Sequence, residues 1–205
     1  MKIHKVLILG GTGMLGGMLV EYFRRQRDIF VTATARAASM PNDPLQRVEW
    51  CEFDVESPNN LTNLCNGKDA VINAIGVIKQ YIKDDDSKHV QNAIRVNALF
   101  PHELAQSAEE AGTQVLQITT DCVFSGSRGR YVESDKHNAL DVYGKTKSLG
   151  EVRGRNVINI RCSIIGPERK GKVSLLEWFL GQEQSAKING FTNHLWNGVT
   201  TLHFA

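Results

Sequence analysis

Short apolar runs alternate along the chain with longer amphipathic stretches. VLIL (6–9), IFVTATA (29–35), VEWCEF (48–53), AVINAI (70–75), VLQIT (115–119) and VINIRC (157–162) are short, apolar and rich in β-branched residues, so they predict six strands. Apolar positions at helical spacing predict helices near 14–26, 57–66, 88–111, 141–154 and 173–184. Strands separated by helices form a parallel sheet, because right-handed crossovers lay the helices on its two faces. The expected fold is therefore α/β, a Rossmann-type doubly wound parallel sheet, with ligands at the carboxyl ends of the strands. The polar stretches 36–46 and 79–88 predict surface loops.

A chain of 205 residues can bury one sizeable core, which predicts one principal domain with a small appendage. The longest apolar runs fall far short of the roughly 20 residues that span a membrane, and the apolar start MKIHKVLILGG passes into a glycine turn rather than a cleavage site. Its first run reads as a buried strand, and no membrane association is expected. The 24 basic and 22 acidic residues are scattered, with no basic block that would track a phosphate backbone, so no nucleic acid partner is expected. Cys51, Cys65, Cys122 and Cys162 lack C-x-x-C spacing and lie in predicted elements or at their ends. They read as free, small buried hydrophobes of a protein in the reducing cytoplasm. The six histidines show no ligand spacing, and no metal is expected.

The first predicted strand ends in Gly10-Gly11-Thr12-Gly13-Met14-Leu15-Gly16. Glycines at 10, 13 and 16 permit a tight turn, let the backbone approach a pyrophosphate and bring strand and helix close, while the helix N-terminus offers N–H groups to phosphate. The second strand ends at Ala35-Arg36, where an acidic residue would hold the ribose 2′-hydroxyl of NAD. A guanidinium cannot accept that hydrogen bond and pairs well with a 2′-phosphate, so Arg36 favours NADP, with NAD the alternative. Asp54-Val55 closes the third strand and Asn73-Ala74-Ile75-Gly76 the fourth, at the edge where adenine and ribose would lie; Asp54 also reads as a helix cap.

The segment Tyr143-Gly144-Lys145-Thr146-Lys147 places Tyr143 and Lys147 on one helical face, one turn apart. A phenol with a pKa near 10 is a poor acid-base group at neutral pH, and a nearby ammonium stabilises its phenolate. That spacing also arises by chance on helices, and its weight comes from the glycine turn upstream.

GGTGMLG, NAIG after the fourth strand, Asn97 in RVNAL, TTDCVFSG, VYGKTKSLGE and RCSIIGPE follow the order and spacing of the extended short-chain dehydrogenases/reductases. TTDCVFSG followed by YGKTKSLGE most resembles the dTDP-4-dehydrorhamnose reductase group of that family. The resemblance implies NADPH-dependent reduction of a nucleotide-linked 4-keto-6-deoxy sugar, an activity of polysaccharide biosynthesis, by a cytoplasmic protein that can form a homodimer. It implies that Thr120 (less well Thr119) holds the substrate carbonyl and Tyr143 protonates it. Lys147 binds the nicotinamide ribose and lowers the phenol's pKa. Gly10, Gly13, Met14, Leu15, Gly16, Arg36, Asp54, Val55, Asn73, Ala74, Gly76, Asn97, Tyr143 and Lys147 are then the cofactor-binding residues.

The same resemblance divides the chain into a dinucleotide-binding domain (1–165) and the start of a substrate-binding portion (166–205) that relatives extend past LHFA. Asn193, His194, Trp196 and Asn197 are its sugar or nucleotide contacts, or else part of a loop around a packed Trp196. Cys122 stands where related reductases carry an aromatic residue, either reshaping the sugar pocket or packing beneath it. Two rival readings remain. A nucleotide-sugar epimerase or dehydratase uses the same Tyr and Lys, but dehydratases follow the threonine with Asp-Glu where this chain has Asp121-Cys122. A non-catalytic dinucleotide-binding subunit, like the regulatory subunit of methionine adenosyltransferase, requires none of Thr120, Tyr143 and Lys147.

Overall fold

The computed structural model describes residues 3–43, 47–168, 171 and 173–205. Six parallel strands form one sheet in the order β3-β2-β1-β4-β5-β6: β1 is Lys5–Leu9, β2 Phe30–Ala35, β3 Val48–Glu52, β4 Ala70–Asn73, β5 Gln114–Thr120 and β6 Val157–Cys162. All six predicted strands are present within two residues of their expected bounds. The chain leaves β1 toward β2 and β3, then returns to the other side of β1 for β4, so the order reverses between β1 and β4. A crevice opens at such a switch point, outside the carboxyl ends of the strands.

Helices cover both faces, which is why β1 reads as an unbroken apolar run. Its alternate residues serve opposite cores. Leu7 and Leu9 pack with Phe53, Leu61, Cys65, Phe100, Leu104 and Ala108, and Val6 and Ile8 pack with Leu15, Leu19, Val20, Val31 and Ile118. The first core lies under α2 (Leu61–Cys65) and α4 (Phe100–Glu110), the second under α1 (Met14–Phe23). α1 and α2 are shorter than predicted. Pro58 has no N–H and a fixed φ, and its carbonyl accepts the Leu61 N–H to start α2. The predicted loops hold short turns at Ala37–Ser39 and Lys79–Tyr81, and part of 36–46 lies outside the described residues.

The helix expected over 88–111 is three pieces: α3 (Ser87–Ala93), a π-helical segment (Ile94–Leu99) and α4. Pro101 is the reason. It cannot donate to the carbonyl of Asn97 four residues earlier, and its ring crowds that carbonyl, so the helix widens before it. The carbonyl of Asn97 faces Gly150 instead: a Cβ on Gly150 would sit 2.0 Å from it.

The helix expected over 141–154 is α5 (Val142–Leu149), ended by Gly150. That over 173–184 is α6 (Leu175–Leu180). A parallel pair absent from the sequence reading joins β7 (Ile164–Ile165) to β8 (Val199–Thr200), after which α7 (Thr201–Phe204) packs Phe204 against the second core. Among the described residues no helix is long and apolar enough to cross a membrane. The four cysteines are free thiols, but only Cys65 is buried; Cys51 and Cys162 are half-buried and Cys122 is exposed. The expectation of four buried thiols is corrected, because Cys51 lies on the outermost strand pair and Cys122 in the turn that leaves the sheet.

Candidate functional site

Every motif singled out in the first 165 residues arrives at the carboxyl edge of the sheet. After β1, Gly10 adopts φ +80°, the left-handed region open to glycine. Its N–H donates to Thr34 Oγ1 (3.1 Å) and that of Gly11 to Thr34 O (2.9 Å), tying the turn to β2. A Cβ on Gly16 would lie 2.1 Å from the Gly10 carbonyl oxygen, so only glycine lets α1 start this close to the strand. A Cβ on Gly13 would meet nothing nearer than 3.4 Å. Gly13 is exposed and caps α1, whose first N–H groups have no intrahelical partner. Met14 is half-buried, while the Leu15 side chain is in the core and leaves only its backbone for a ligand.

Arg36 is exposed directly after β2. Asp54 is exposed and accepts the Glu56 N–H at 3.0 Å, a local turn of the capping kind; Val55 is buried, and its carbonyl accepts from Arg95 (2.6 Å). Asn73 is fully buried: its Nδ2 donates to Gln117 Oε1 (2.8 Å) and its Oδ1 accepts the Ile75 N–H (3.1 Å). That side chain is occupied inside the sheet. Ala74 N–H bonds the Leu9 carbonyl (3.1 Å), bringing the turn after β4 beside Gly10.

Asn97, set inward by the π segment, accepts the Val77 N–H and donates to the Val77 carbonyl (both 2.9 Å) and to Thr146 Oγ1 (3.4 Å). A Cβ on exposed Gly76 would find Asn97 Oδ1 at 3.4 Å and Lys147 Nζ at 3.6 Å. Gly76, Asn97 and Lys147 therefore meet at one place.

Thr120 ends β5 buried, and Tyr143 sits half-buried on the first turn of α5. The Thr120 hydroxyl donates to Asp121 Oδ1 (3.3 Å) and accepts the Cys122 N–H (3.1 Å), and it lies close enough to Tyr143 to act on its phenol. Burial pushes the phenol up to about 12, with the Thr120 hydroxyl pulling the other way. Burial, the largest influence on this phenol, sets the direction opposite to the lowering expected of Lys147. Lys147, 7% exposed, donates from Nζ to the Ile118 carbonyl at 2.9 Å, and burial drops its own pKa to about 8, offset in part by Cys162 and Glu151. The Thr119 hydroxyl donates to Glu151 Oε1 at 3.1 Å.

Several residues that hold α5 in place were not singled out in the sequence. Asp141 caps the helix by accepting the Gly144 N–H (2.7 Å) and pairs with Lys79 (2.6 Å), while Asp84 accepts the Val142 N–H (3.1 Å). Burial works against the Asp141 carboxylate, but the Lys79 and Gly144 hydrogen bonds win and hold it below its ordinary value. An Asp just before a helical run is an N-cap signal that could have marked it. A Cβ on Gly144 would come within 2.4 Å of the Cys122 carbonyl, so glycine there lets α5 dock on the turn that carries Thr120.

At the far end, Glu151 is bonded twice by Arg161 (Nε 2.8 Å, Nη2 2.7 Å) as well as by Thr119. Glu151→Ala is expected to destabilise the protein by about 2–3 kcal/mol, less than the ~3–5 kcal/mol of a fully buried pair. The discount follows because Arg161 keeps 21% of its side chain exposed. A thermal or denaturant melt showing under about 0.5 kcal/mol would contradict this role.

Asn193 and His194 lie on exposed coil, His194 beside Phe191 (6.1 Å between rings). Trp196 packs over Gly198 and donates from Nε1 to Ser163 Oγ (2.7 Å), just past β6. Among the described residues no hydrogen bond or ring contact joins these three to Tyr143. Among the described residues no group of three or more His, Cys, Asp or Glu could hold a metal ion.

Residues 4–165 match the family described as RmlD substrate binding domain. The chain belongs to that family. Similar relatives include a dTDP-4-dehydrorhamnose reductase of Aggregatibacter actinomycetemcomitans, 30% identical over 72% of this chain and 45% of that protein. Another is methionine adenosyltransferase 2 subunit beta of Danio rerio, 27% identical over 72% of this chain and 42% of that protein. This member of the RmlD substrate binding domain family thus spans less than half the length of those two relatives. Among solved structures, a hypothetical dTDP-4-dehydrorhamnose reductase from Sulfolobus tokodaii matches with TM-score 0.66 and 24% identity, covering 82% of this chain and 58% of that one. The UDP-glucuronic acid 4-epimerase of Bacillus cereus, in complex with a fluorinated UDP-sugar and NAD, matches with TM-score 0.68 and 18% identity over 81% and 59%. Both likenesses are of fold.

Proposed function

We propose that the protein reduces a nucleotide-linked 4-keto-6-deoxy sugar with NADPH. The observation that carries this reading is that Thr120 at the end of β5 neighbours Tyr143 on the first turn of α5, with Lys147 one turn along that helix, on the same sheet edge as the glycine turn. A dinucleotide suits the residues present: Gly13 and Gly76 are exposed, and the start of α1 offers N–H donors for a pyrophosphate. When bound, that cofactor supplies the hydride.

The chain's own residues do the rest. Hydride arrival places negative charge on the substrate's carbonyl oxygen, and hydroxyl donors aimed at that oxygen stabilise the transition state more than the ground state. Tyr143, protonated at neutral pH, gives its proton to the new alkoxide, and Thr120 fixes the oxygen beside it. Lys147 stands beside Gly76 and Asn97, where it would bond a ribose. In this proposal Gly10, Gly13, Met14, Leu15 and Gly16 hold the pyrophosphate, and Asp54, Val55, Asn73 and Ala74 line the adenosine end. Residues 166–205 begin the substrate portion, with Asn193, His194 and Trp196 as its contacts, and a homodimer is the assembly.

The test is to supply NADPH and a panel of nucleotide 4-keto-sugars and follow the nicotinamide absorbance. Oxidation with any of them supports the reading. Binding of NADPH without turnover on any sugar would favour a non-catalytic subunit, the reading that the likeness to methionine adenosyltransferase 2 subunit beta supports. Arg36 carries the cofactor preference: its guanidinium is exposed at the end of β2, where a 2′-phosphate is expected. Arg36→Asp is expected to reverse the preference from NADP(H) to NAD(H) in a binding titration. Equal affinities before and after the change would rule Arg36 out of that contact.

A further inference from the structure

The opposite, amino-terminal edge of the sheet carries an open groove of about 950 Å³ that plays no part in the proposed reaction. Six cations line it: Lys5 from β1, Arg24, Arg25 and Arg27 from the end of α1, Arg47 before β3 and Lys68 before β4. Glu49 is the one carboxylate in the described lining. Glu21 occupies Arg24 and Arg25 (2.7 and 2.6 Å). Arg27 and Arg47 form no ion pair among the described residues, while Lys5 stands by Asp69, whose carboxylate accepts its N–H (2.8 Å) and feels its charge.

Cations at a helix C-terminus are explained by the helix dipole alone, and that accounts for Arg24 and Arg25. It does not account for Arg47, Lys5 or Lys68, which come from three other segments. Lys68 is held there: its Nζ donates to the buried Thr32 hydroxyl (2.6 Å) and pairs with Glu49 (3.5 Å), to which Thr32 also donates (2.7 Å), so the ammonium is fixed at the groove floor and partly balanced by that carboxylate. Among these charges stands Phe30, 71% exposed although it opens a central strand. A bare aromatic ring beside arginines offers a flat face to a base and donors to its phosphates.

We propose that this groove binds a polyphosphate anion, with the Phe30 ring as the stacking face for an attached base. β1 is five residues long, so about 16 Å of strand separates it from the glycine turn. Both edges can then be filled at once.

The experiment is an amide NMR titration of the protein at low salt with inorganic tripolyphosphate and, separately, with a nucleoside triphosphate. The expected result is shift changes at residues 24–32, 47–49 and 66–68 with both ligands, and at least a tenfold weaker affinity in Arg27→Glu/Arg47→Glu. Arg27→Gln/Arg47→Gln, checked by circular dichroism for an unchanged fold, serves if charge reversal unfolds the chain. Phe30→Ala weakening only the nucleoside triphosphate identifies a nucleotide as the ligand; equal binding in that variant identifies free polyphosphate. No binding, shifts confined to residues 10–16, or affinity unchanged by both arginine pairs would overturn the proposal.

Discussion

Tyr143→Phe is expected to lower turnover by a factor on the order of 10²–10⁴, the usual range for a lost general acid, while leaving dinucleotide affinity nearly intact. The ring stays in place, so the docking of α5 is kept and only the proton is lost. The pKa directions shape how the reduction depends on pH. Burial holds the phenol near 12, so the acid form persists through the neutral range. Lys147, at about 8, loses its charge first as pH rises. The rate at limiting substrate is therefore expected to fall above about pH 8, where the ammonium that would bond the ribose becomes neutral, and not near 12. Stopped-flow reduction by both forms, with the dinucleotide titrated separately, checks the assignment. Full activity in Tyr143→Phe would mean that the proton comes from elsewhere.

The sheet was legible because a strand covered on both faces must be largely apolar, as Val6–Leu9 of β1 and Ala70–Ile72 of β4 are, while Thr32 and Thr34 of β2 are β-branched. Spacing was also enough to put Tyr143 and Lys147 on one face of α5, and strand ends were enough to put the glycine turn and Arg36 on one edge. What spacing could not show was distance between segments. Pro101 is visible in the sequence, but its consequence, a π segment that turns Asn97 toward Val77 and Thr146, depends on α5 lying alongside. The direction of Lys147 could not be read for the same reason: the motif fixes its place on the helix, whereas the Ile118 carbonyl decides where the ammonium points.

Charge was the least legible property. Cations at 5, 24–27, 47 and 68 look scattered along the chain, and the sheet gathers them because they lie at the starts of β1, β3 and β4 and at the end of α1. Parallel strands bring all their beginnings to one edge and all their ends to the other. The same topology that collects the dinucleotide motifs at one edge thus collects these cations at the opposite one.

Gly13→Ala and Gly16→Ala are expected to separate the two duties of the turn. At Gly16 the new methyl would press on the backbone of Gly10, 2.1 Å from its oxygen and 2.8 Å from its carbonyl carbon. Neither atom belongs to a flexible side chain, so strand and helix must move apart. Overpacking of this kind costs about 1–3 kcal/mol, which lowers the Tm of a domain of this size by several degrees. Moving α1 away from β1 also carries its N–H donors off the pyrophosphate position, so binding should fall with stability. At Gly13 the backbone is extended (φ −74°, ψ 173°), a conformation alanine adopts freely, and its methyl meets only the Gly10 oxygen at an ordinary 3.4 Å. Stability should then be nearly unchanged. The methyl would stand in the open space before the start of α1, where a phosphate must come within hydrogen-bond distance of the backbone, and dinucleotide affinity is expected to drop at least tenfold. Calorimetric melting and a dinucleotide titration on both variants decide the matter. If Gly13→Ala bound the dinucleotide as the unchanged protein does, the glycine turn would be a packing device and the cofactor would have to lie elsewhere.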